Sequence, residues 1–164
     1  MKKILMLGIV FILLWSLPVA AYGLTSPSVS EGHGVITGMF NTGGGISLGA
    51  EFGLSPQFAV IGELGVAGGG YKAGIKYELN PNLALLGGLA EPGFFLGVNG
   101  GTAFGKKFYG MGEVDLVSAD GSLLFLLEAG AKYTLSNQLD IRAGVTGSTA
   151  GSSVDLEIGV GYKF

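Results

Sequence analysis

The sequence contains no cysteine and little charge: none of its 164 residues is Cys, and only 13% are charged. The absence of Cys excludes disulfide bonds, thiolate chemistry, Cys-ligated zinc and a lipidated N-terminal Cys. With nine basic residues and a formal net charge of −3, the chain has no basic patch for nucleic acid, so we expect no nucleic-acid partner. A soluble domain carries about 25% charged residues, so this composition is unusual for a surface in water.

Patterns that carry catalysis or bind cofactors are also missing. The chain has a single histidine, His33, and no serine is marked as a nucleophile by its neighbours. The glycine-rich stretches lack the Lys-Ser/Thr pair and the following helix of a phosphate loop, and no His and carboxylate cluster has metal-ligand spacing. Closure of a barrel could bring His33 near Asp155 or Ser153 on the last strand, but we expect no enzymatic activity, no cofactor and no metal.

Glycine and apolar residues are abundant instead. The chain contains 32 Gly, 10 Phe and 6 Tyr, and 48% of its residues are hydrophobic. This apolar content excludes a disordered glycine-rich chain, which would have too little to bury. The glycines follow no three-residue period, which excludes collagen.

The N-terminal residues have the organisation of a secretory signal peptide. Lys2 and Lys3 precede an apolar run at 4–17, and small residues follow at 19–21. Residues 1–23 are therefore predicted to be a signal peptide, cleaved after Ala21 or after Gly23. The alternative, an uncleaved helical anchor, is disfavoured because a spanning helix needs about 20 apolar residues. Residues 24–28 are predicted to be a short polar lead-in, and 29–164 a folded β-domain.

Most of the remaining chain alternates between apolar and other residues, with the period of two that is typical of β-strands. In 71–79, for example, Tyr71, Ile75 and Leu79 share one face, whereas Lys72 and Lys76 lie on the other. No useful window has helical periodicity. The alternation predicts ten strands, at about 29–40, 45–54, 58–67, 71–79, 83–90, 94–104, 107–117, 122–135, 138–147 and 152–164. An eight-strand count, with 29–40 outside the barrel, remains an alternative.

Four connections share one frame, in which an apolar residue, three mostly polar residues and another apolar residue follow one another. They are 54–58, 79–83, 104–108 and 135–139, and their Pro, Asn, Ser and Gly residues are typical of tight turns. Their centres lie at 56, 81, 106 and 137. A spacing of about 25 residues fits two strands of nine to eleven residues, the length that crosses a bilayer in a tilted barrel. The pattern predicts a closed antiparallel up-and-down transmembrane β-barrel, an all-β fold, with both chain ends on the side of these turns.

Alternation alone does not say whether the apolar face points inward or into lipid. Two features favour lipid. Most charged residues share the face opposite the apolar stripe, and aromatic residues lie near the turn ends of the apolar face, where a membrane barrel carries its interfacial girdle. These aromatic residues are Phe52, Phe58, Tyr77, Phe104, Phe108, Tyr133, Tyr162 and Phe164.

The charged face is then predicted to line the lumen. The candidate lumen residues are Glu51, Glu63, Lys72, Lys76, Glu113, Asp115, Glu128, Lys132, Arg142, Asp155 and Glu157. Counted from the shared turns, they form a mostly basic belt beneath a mostly acidic upper level. Buried charges are costly unless paired, so a lumen closed by ion pairs is one prediction. A small passive pore that favours cations is the other.

The C-terminal residues resemble the assembly signal of bacterial outer-membrane barrels. Glu157, Gly159, Tyr162 and the terminal Phe164 supply its polar residue, its glycine and its aromatic residues at the third-last and last positions. The resemblance, to small outer-membrane β-barrel proteins of the opacity-type and porin-like group, covers 29–164. It implies insertion by the barrel-assembly machinery and outer-membrane lipid as the surroundings. That group usually has long extracellular loops, whereas the loops opposite the shared turns are short here, which disfavours an adhesin role.

The sequence therefore predicts an exported integral outer-membrane β-barrel, either structural or a small pore with a charged lumen. A secreted, soluble glycine-rich β-protein of the cell surface is the alternative, and a barrel-embedded lipid-modifying enzyme is a weaker one. The sequence leaves the oligomeric state and any transported solute open.

Overall fold

The structure, a computed structural model, describes residues 24–43, 45–66, 70–91, 93–119, 121–149 and 154–164. The predicted signal peptide and residues 44, 67–69, 92, 120 and 150–153, which include Ser153, lie outside the described residues. Among the residues described, no helix is long and apolar enough to cross a membrane.

The described chain forms one closed barrel of ten antiparallel strands, in which each strand pairs with its neighbours in sequence and β1 pairs with β10. This confirms the predicted ten-strand up-and-down topology. The strands are β1 (Gly34–Asn41), β2 (Ile46–Gly53), β3 (Phe58–Gly65), β4 (Tyr71–Asn80), β5 (Leu83–Ala90), β6 (Gly93–Ala103), β7 (Phe108–Ala119), β8 (Ser122–Thr134), β9 (Leu139–Ser148) and β10 (Val154–Lys163).

Three of the four shared turns have the same backbone hydrogen bond. The backbone N–H of Leu54 donates to the carbonyl oxygen of Phe58 at 2.7 Å, and Leu135 donates to Leu139 at 2.9 Å in the same way. Phe104 donates to Phe108 at 2.9 Å, with Gly105 at a φ of 128° that other residues rarely adopt. All these turns lie at one end of the barrel, which we call the turn end.

The first strand begins later than its sequence pattern suggested. Strand β1 starts at Gly34, not at residue 29, because the chain bends at Gly32, where φ is 73°. Before this bend the chain leaves the barrel wall and enters the interior. The backbone N–H of Val29 donates to the inward Glu78 carboxylate at 2.6 Å, so residues 29–33 cannot extend the β1 ladder.

The alternation of the strands separates two environments. Outward residues such as Ile75, Leu96 and Ile158 are 53 to 60% exposed, although they are large and apolar. Inward residues, including charged ones, are buried. A barrel with this inverted pattern has its apolar surface outside, which is the arrangement of a membrane barrel.

Candidate functional site

The lumen contains part of the chain itself. Residues 24–31, which we call the N-terminal segment, run inside the barrel. The segment begins its contacts with the wall at the turn end, where Glu31 pairs with Gly53 in a parallel bridge. It rises to mid-lumen at Leu24, whose exposed fraction is 1%. The predicted polar lead-in therefore occupies the interior.

Lys76 on β4 holds the middle of this segment. Its ammonium group donates to the carbonyl oxygen of Ser26 at 2.8 Å and to Thr25 Oγ1 at 3.2 Å. It also forms an ion pair with Glu51 on β2 at 2.5 Å. Lys76 is fully buried, so all its hydrogen-bonding capacity is directed at the segment and at Glu51.

Two further side chains hold the tip of the segment. The amide of Asn99 on β6 donates to the carbonyl oxygen of Thr25 at 3.1 Å and to Glu113 at 2.9 Å. Arg142 on β9 donates to the carbonyl oxygen of Leu24 and, at 2.7 Å, to Asp140. Contacts from three different strands thus converge on Leu24 and Thr25.

The Leu24 side chain fills the space left by two inward glycines. A Cβ atom at Gly130 or at Gly144 would lie 2.6 or 2.5 Å from Leu24 Cδ1, which no real contact permits. Leu24 packs with Met39 and Met111 in a small apolar cluster, with Tyr109 against it. The absence of a side chain at Gly130 and Gly144 therefore leaves room for the segment.

Lys72 on β4 is the centre of an ion-pair cluster above Leu24, that is, farther from the turn end. Its ammonium group contacts Glu113 and lies 2.6 Å from Asp115, both on β7 across the lumen. It lies 3.9 Å from Glu63 on β3 and 4.8 Å from the centroid of the Phe95 ring. All four polar side chains are at least 96% buried, so this cluster is shielded from solvent.

Two other acidic side chains of this level form no ion pair with any residue in the described part of the chain. Glu128 and Glu157 are 7% and 4% exposed. Glu128 Oε1 and Glu157 Oε2 have no hydrogen-bond partner among the described residues. An apolar cluster fills the other side of the upper lumen; its members are Ile61, Leu86, Ala90, Phe95, Val117 and Leu126.

The structure brings together some of the candidate lumen residues and separates others. Glu51 joins Lys76, and Glu63, Glu113 and Asp115 join Lys72. By contrast, Lys132 lies 4.8 Å from the centroid of the Tyr109 ring. Asp155 lies apart, at the loop end of β10, where Thr42 donates to it at 3.5 Å.

Sequence reasoning did not identify several important contacts. Asn99 and Asp140 were outside the candidate set, although alternation places both on the inner face. The larger omission was the N-terminal segment, whose Thr-Ser-Pro-Ser composition differs from that of the strands. The composition of the segment indicates that it is not a strand. It does not indicate that the segment lies inside the lumen.

A cavity of about 530 Å³ remains at the turn end, between the N-terminal segment and the wall. Lys132, Arg142 and Lys163 contribute basic groups to its lining. His33 also lines it, with Nδ1 2.9 Å from the carbonyl oxygen of Glu31. His33 precedes β1, whereas Asp155 lies near the opposite end of the barrel, so closure does not bring these two residues together.

The residues of the predicted assembly signal lie on β10 and at its end. Glu157 and Gly159 face inward and Tyr162 faces outward. The backbones of Gly34 and Phe164 exchange two hydrogen bonds of 2.9 Å, which complete the closure of the barrel. The Phe164 ring stacks on Phe52 with centroids 6.5 Å apart.

Two more aromatic pairs lie at the same end: Phe58 with Tyr77 and Phe108 with Tyr133, each with centroids 4.8 Å apart. The aromatic residues of the apolar face are thus clustered at the turn end, as the sequence pattern indicated.

Comparison with known proteins gives structural matches only. No protein-family model matches the sequence, and no curated protein matches it. The KdgM porin matches with a TM-score of 0.51 and 12% identity, over 80% of this chain and 99% of that chain. The N-terminal β-barrel domain of Pseudomonas aeruginosa OprF matches with a TM-score of 0.45 and 14% identity, over 80% and 96%.

The chain has the fold of a small outer-membrane β-barrel protein. At 12% identity, the similarity to the KdgM porin is one of fold. The ten-strand closed barrel and its apolar exterior are consistent with that fold.

Proposed function

We propose that this protein is exported by its signal peptide, resides in the bacterial outer membrane and is a structural barrel that does not conduct in its resting state. The observation that carries the proposal is the N-terminal segment inside the lumen. Lys76, Asn99 and Arg142 bind its backbone at mid-height. The Lys72 cluster and the apolar cluster occupy the space above it.

Planar-bilayer conductance tests the closed state. Purified protein, with the folded barrel verified by its heat-dependent gel mobility, is expected to give no steady channel events. Steady conductance through verified barrels would overturn the closed-barrel proposal. Localisation is tested separately, since a membrane barrel fractionates with the outer membrane and resists carbonate extraction. Recovery as a soluble protein without detergent would favour the secreted alternative.

A second candidate function, a small passive pore, is favoured by the way the segment is attached. Within the described residues, one parallel bridge joins the segment to the wall, and its other polar contacts are mainly with side chains. It lies outside the strand ladder and could leave without breaking a strand pair. The upper lumen would then present five acidic residues around Lys72: Glu63, Glu113, Asp115, Glu128 and Glu157.

Deletion of residues 24–31 separates the two functions. If the N-terminal segment closes the lumen, the shortened barrel is expected to conduct ions. It should prefer cations, because carboxylates dominate the upper lumen. The matched control is Ser28→Ala, because Ser28 is exposed. It should stay closed. A shortened barrel that folds but remains silent would assign the closure to the lumen side chains and reject the pore.

A further inference from the structure

The acidic residues directly above Leu24 outnumber the cations that pair with them among the described residues. We define the acidic layer as Glu113, Glu128 and Glu157. Glu113 shares Lys72 with Asp115 and Glu63. Glu128 and Glu157 form no ion pair among the described residues, and each has a buried oxygen without a hydrogen-bond partner. Buried carboxylates in this state are costly, so the layer is suited to another cation.

Leu24 lies immediately below this layer. Its side chain touches Gly130, and Glu128 is the next inward position above Gly130 on β8. Two residues along a strand correspond to a rise of about 7 Å, much of which a Glu side chain can span. Thr25 Oγ1 already donates to Glu113 at 3.4 Å. Leu24 and Thr25 therefore lie beside the acidic layer.

Removal of the predicted signal peptide after Gly23 would leave a free amino group on Leu24, beside this layer. In that reaction water adds across a peptide bond, the carboxylate leaves with the signal peptide, and the amine that remains takes up a proton.

We propose that signal peptidase cleaves after Gly23 and that the new α-ammonium group of Leu24 binds the acidic layer. Processing thereby supplies the second cation of the upper lumen and fastens the N-terminal segment. Cleavage after Ala21 would leave two more residues before Leu24 and would carry the ammonium group up to about 7 Å farther along the chain. The inference rests on the proposed export, but not on whether the barrel conducts.

The first experiment identifies the mature N-terminus. The full-length precursor is expressed in a Gram-negative host, the protein is purified from the outer membrane, and its intact mass is measured. The mass of a chain that begins at Leu24 is expected. A chain that begins at Tyr22, or an intact precursor, overturns the proposal.

The second experiment tests the charge itself. Chains that begin at Leu24 are prepared by scarless protease cleavage, one sample is N-acetylated enzymatically, and both are refolded and unfolded in urea. Acetylation removes the ammonium charge, so the unfolding equilibrium constant should rise about tenfold to a hundredfold. This is the change expected when hydrogen bonds to a charged group are lost.

Paired variants show whether the acidic layer is the partner. In the Glu128→Gln, Glu157→Gln double variant, acetylation should have at most a small effect, because the carboxylates that bind the ammonium group have been neutralised. In the control Glu91→Gln, an exposed loop position, the full effect should persist. Equal unfolding of free and acetylated chains, or an unchanged acetylation effect in the double variant, overturns the proposal. Conductance of the same samples reports on closure independently.

Discussion

Single residues in this barrel have the reverse of their usual environments. Lys72 and Lys76 are 2% and 0% exposed, whereas Phe104 and Leu89 are 71% and 62% exposed. A buried ammonium group is tolerated only with close counter-charges. Lys72 meets this requirement through carboxylates on two other strands. Its removal should therefore leave uncompensated charge.

We predict that Lys72→Met destabilises the folded barrel by about 3–5 kcal/mol, because breaking one partner of a buried ion pair leaves the others unpaired. Urea unfolding in lipid vesicles measures the change. It is followed by the tyrosine fluorescence of the mature chain, which lacks Trp15, or by gel mobility. The matched control is Lys106→Met in an exposed turn, which should stay within about 0.5 kcal/mol. Equal effects at the two positions would contradict the role of the cluster.

At the scale of elements, the strands and shared turns repeat one local design, whereas the N-terminal segment has no counterpart in the barrel. The turns are local because their hydrogen bonds join residues only four positions apart. The segment depends on distant residues: Gly130 and Gly144 make room for Leu24. Its packing should therefore be detectable as coupling between these positions.

We predict that Gly144→Ala destabilises the barrel and that part of this loss disappears in a Leu24→Ala background, where the added methyl group no longer meets the leucine. The part that remains reflects contact with the backbone of Ala129. The coupling should be about 0.5–3 kcal/mol, the range for residues in contact, measured by a double-mutant cycle in urea. Gly62→Ala, which meets no side chain, should show no coupling with Leu24→Ala.

At the scale of the whole molecule, the decisive property is which face meets lipid. The outward face is apolar along the full strands, and its aromatic pairs lie at the turn end. Lipid would cover the central apolar band, while the aromatic rings would lie at the level of the head groups. A charge added to the outer face should therefore have a depth-dependent effect.

We predict that Ile75→Arg, midway along β4, destabilises the barrel by about 2–4 kcal/mol, whereas Leu79→Arg at the turn end of the same face costs at most about 1 kcal/mol. Both wild-type side chains are about half exposed, at 53% and 48%. Urea titration in phospholipid vesicles measures both. The same small effect at the two depths would contradict a lipid-facing exterior.

Much of this architecture follows from local sequence. The period-two pattern determines which residues share a face, and the repeated turn frame determines where strands end. Together they predicted ten strands, with bounds close to those observed. Both signals are local, because alternation follows from the backbone geometry of a strand and tight turns follow from nearby residues.

Only the tertiary structure decided how the lumen is filled. Alternation places Lys72, Glu113 and Asp115 on the inner face, but the strand stagger of the closed barrel decides that they meet across it. The same holds for Leu24, whose position depends on glycines more than 100 residues away in sequence. The sequence alone determined the barrel and the sidedness of its wall. Closure in three dimensions determined the ion pairs and the entry of the N-terminal segment, because these contacts depend on distances across the barrel that no local pattern encodes.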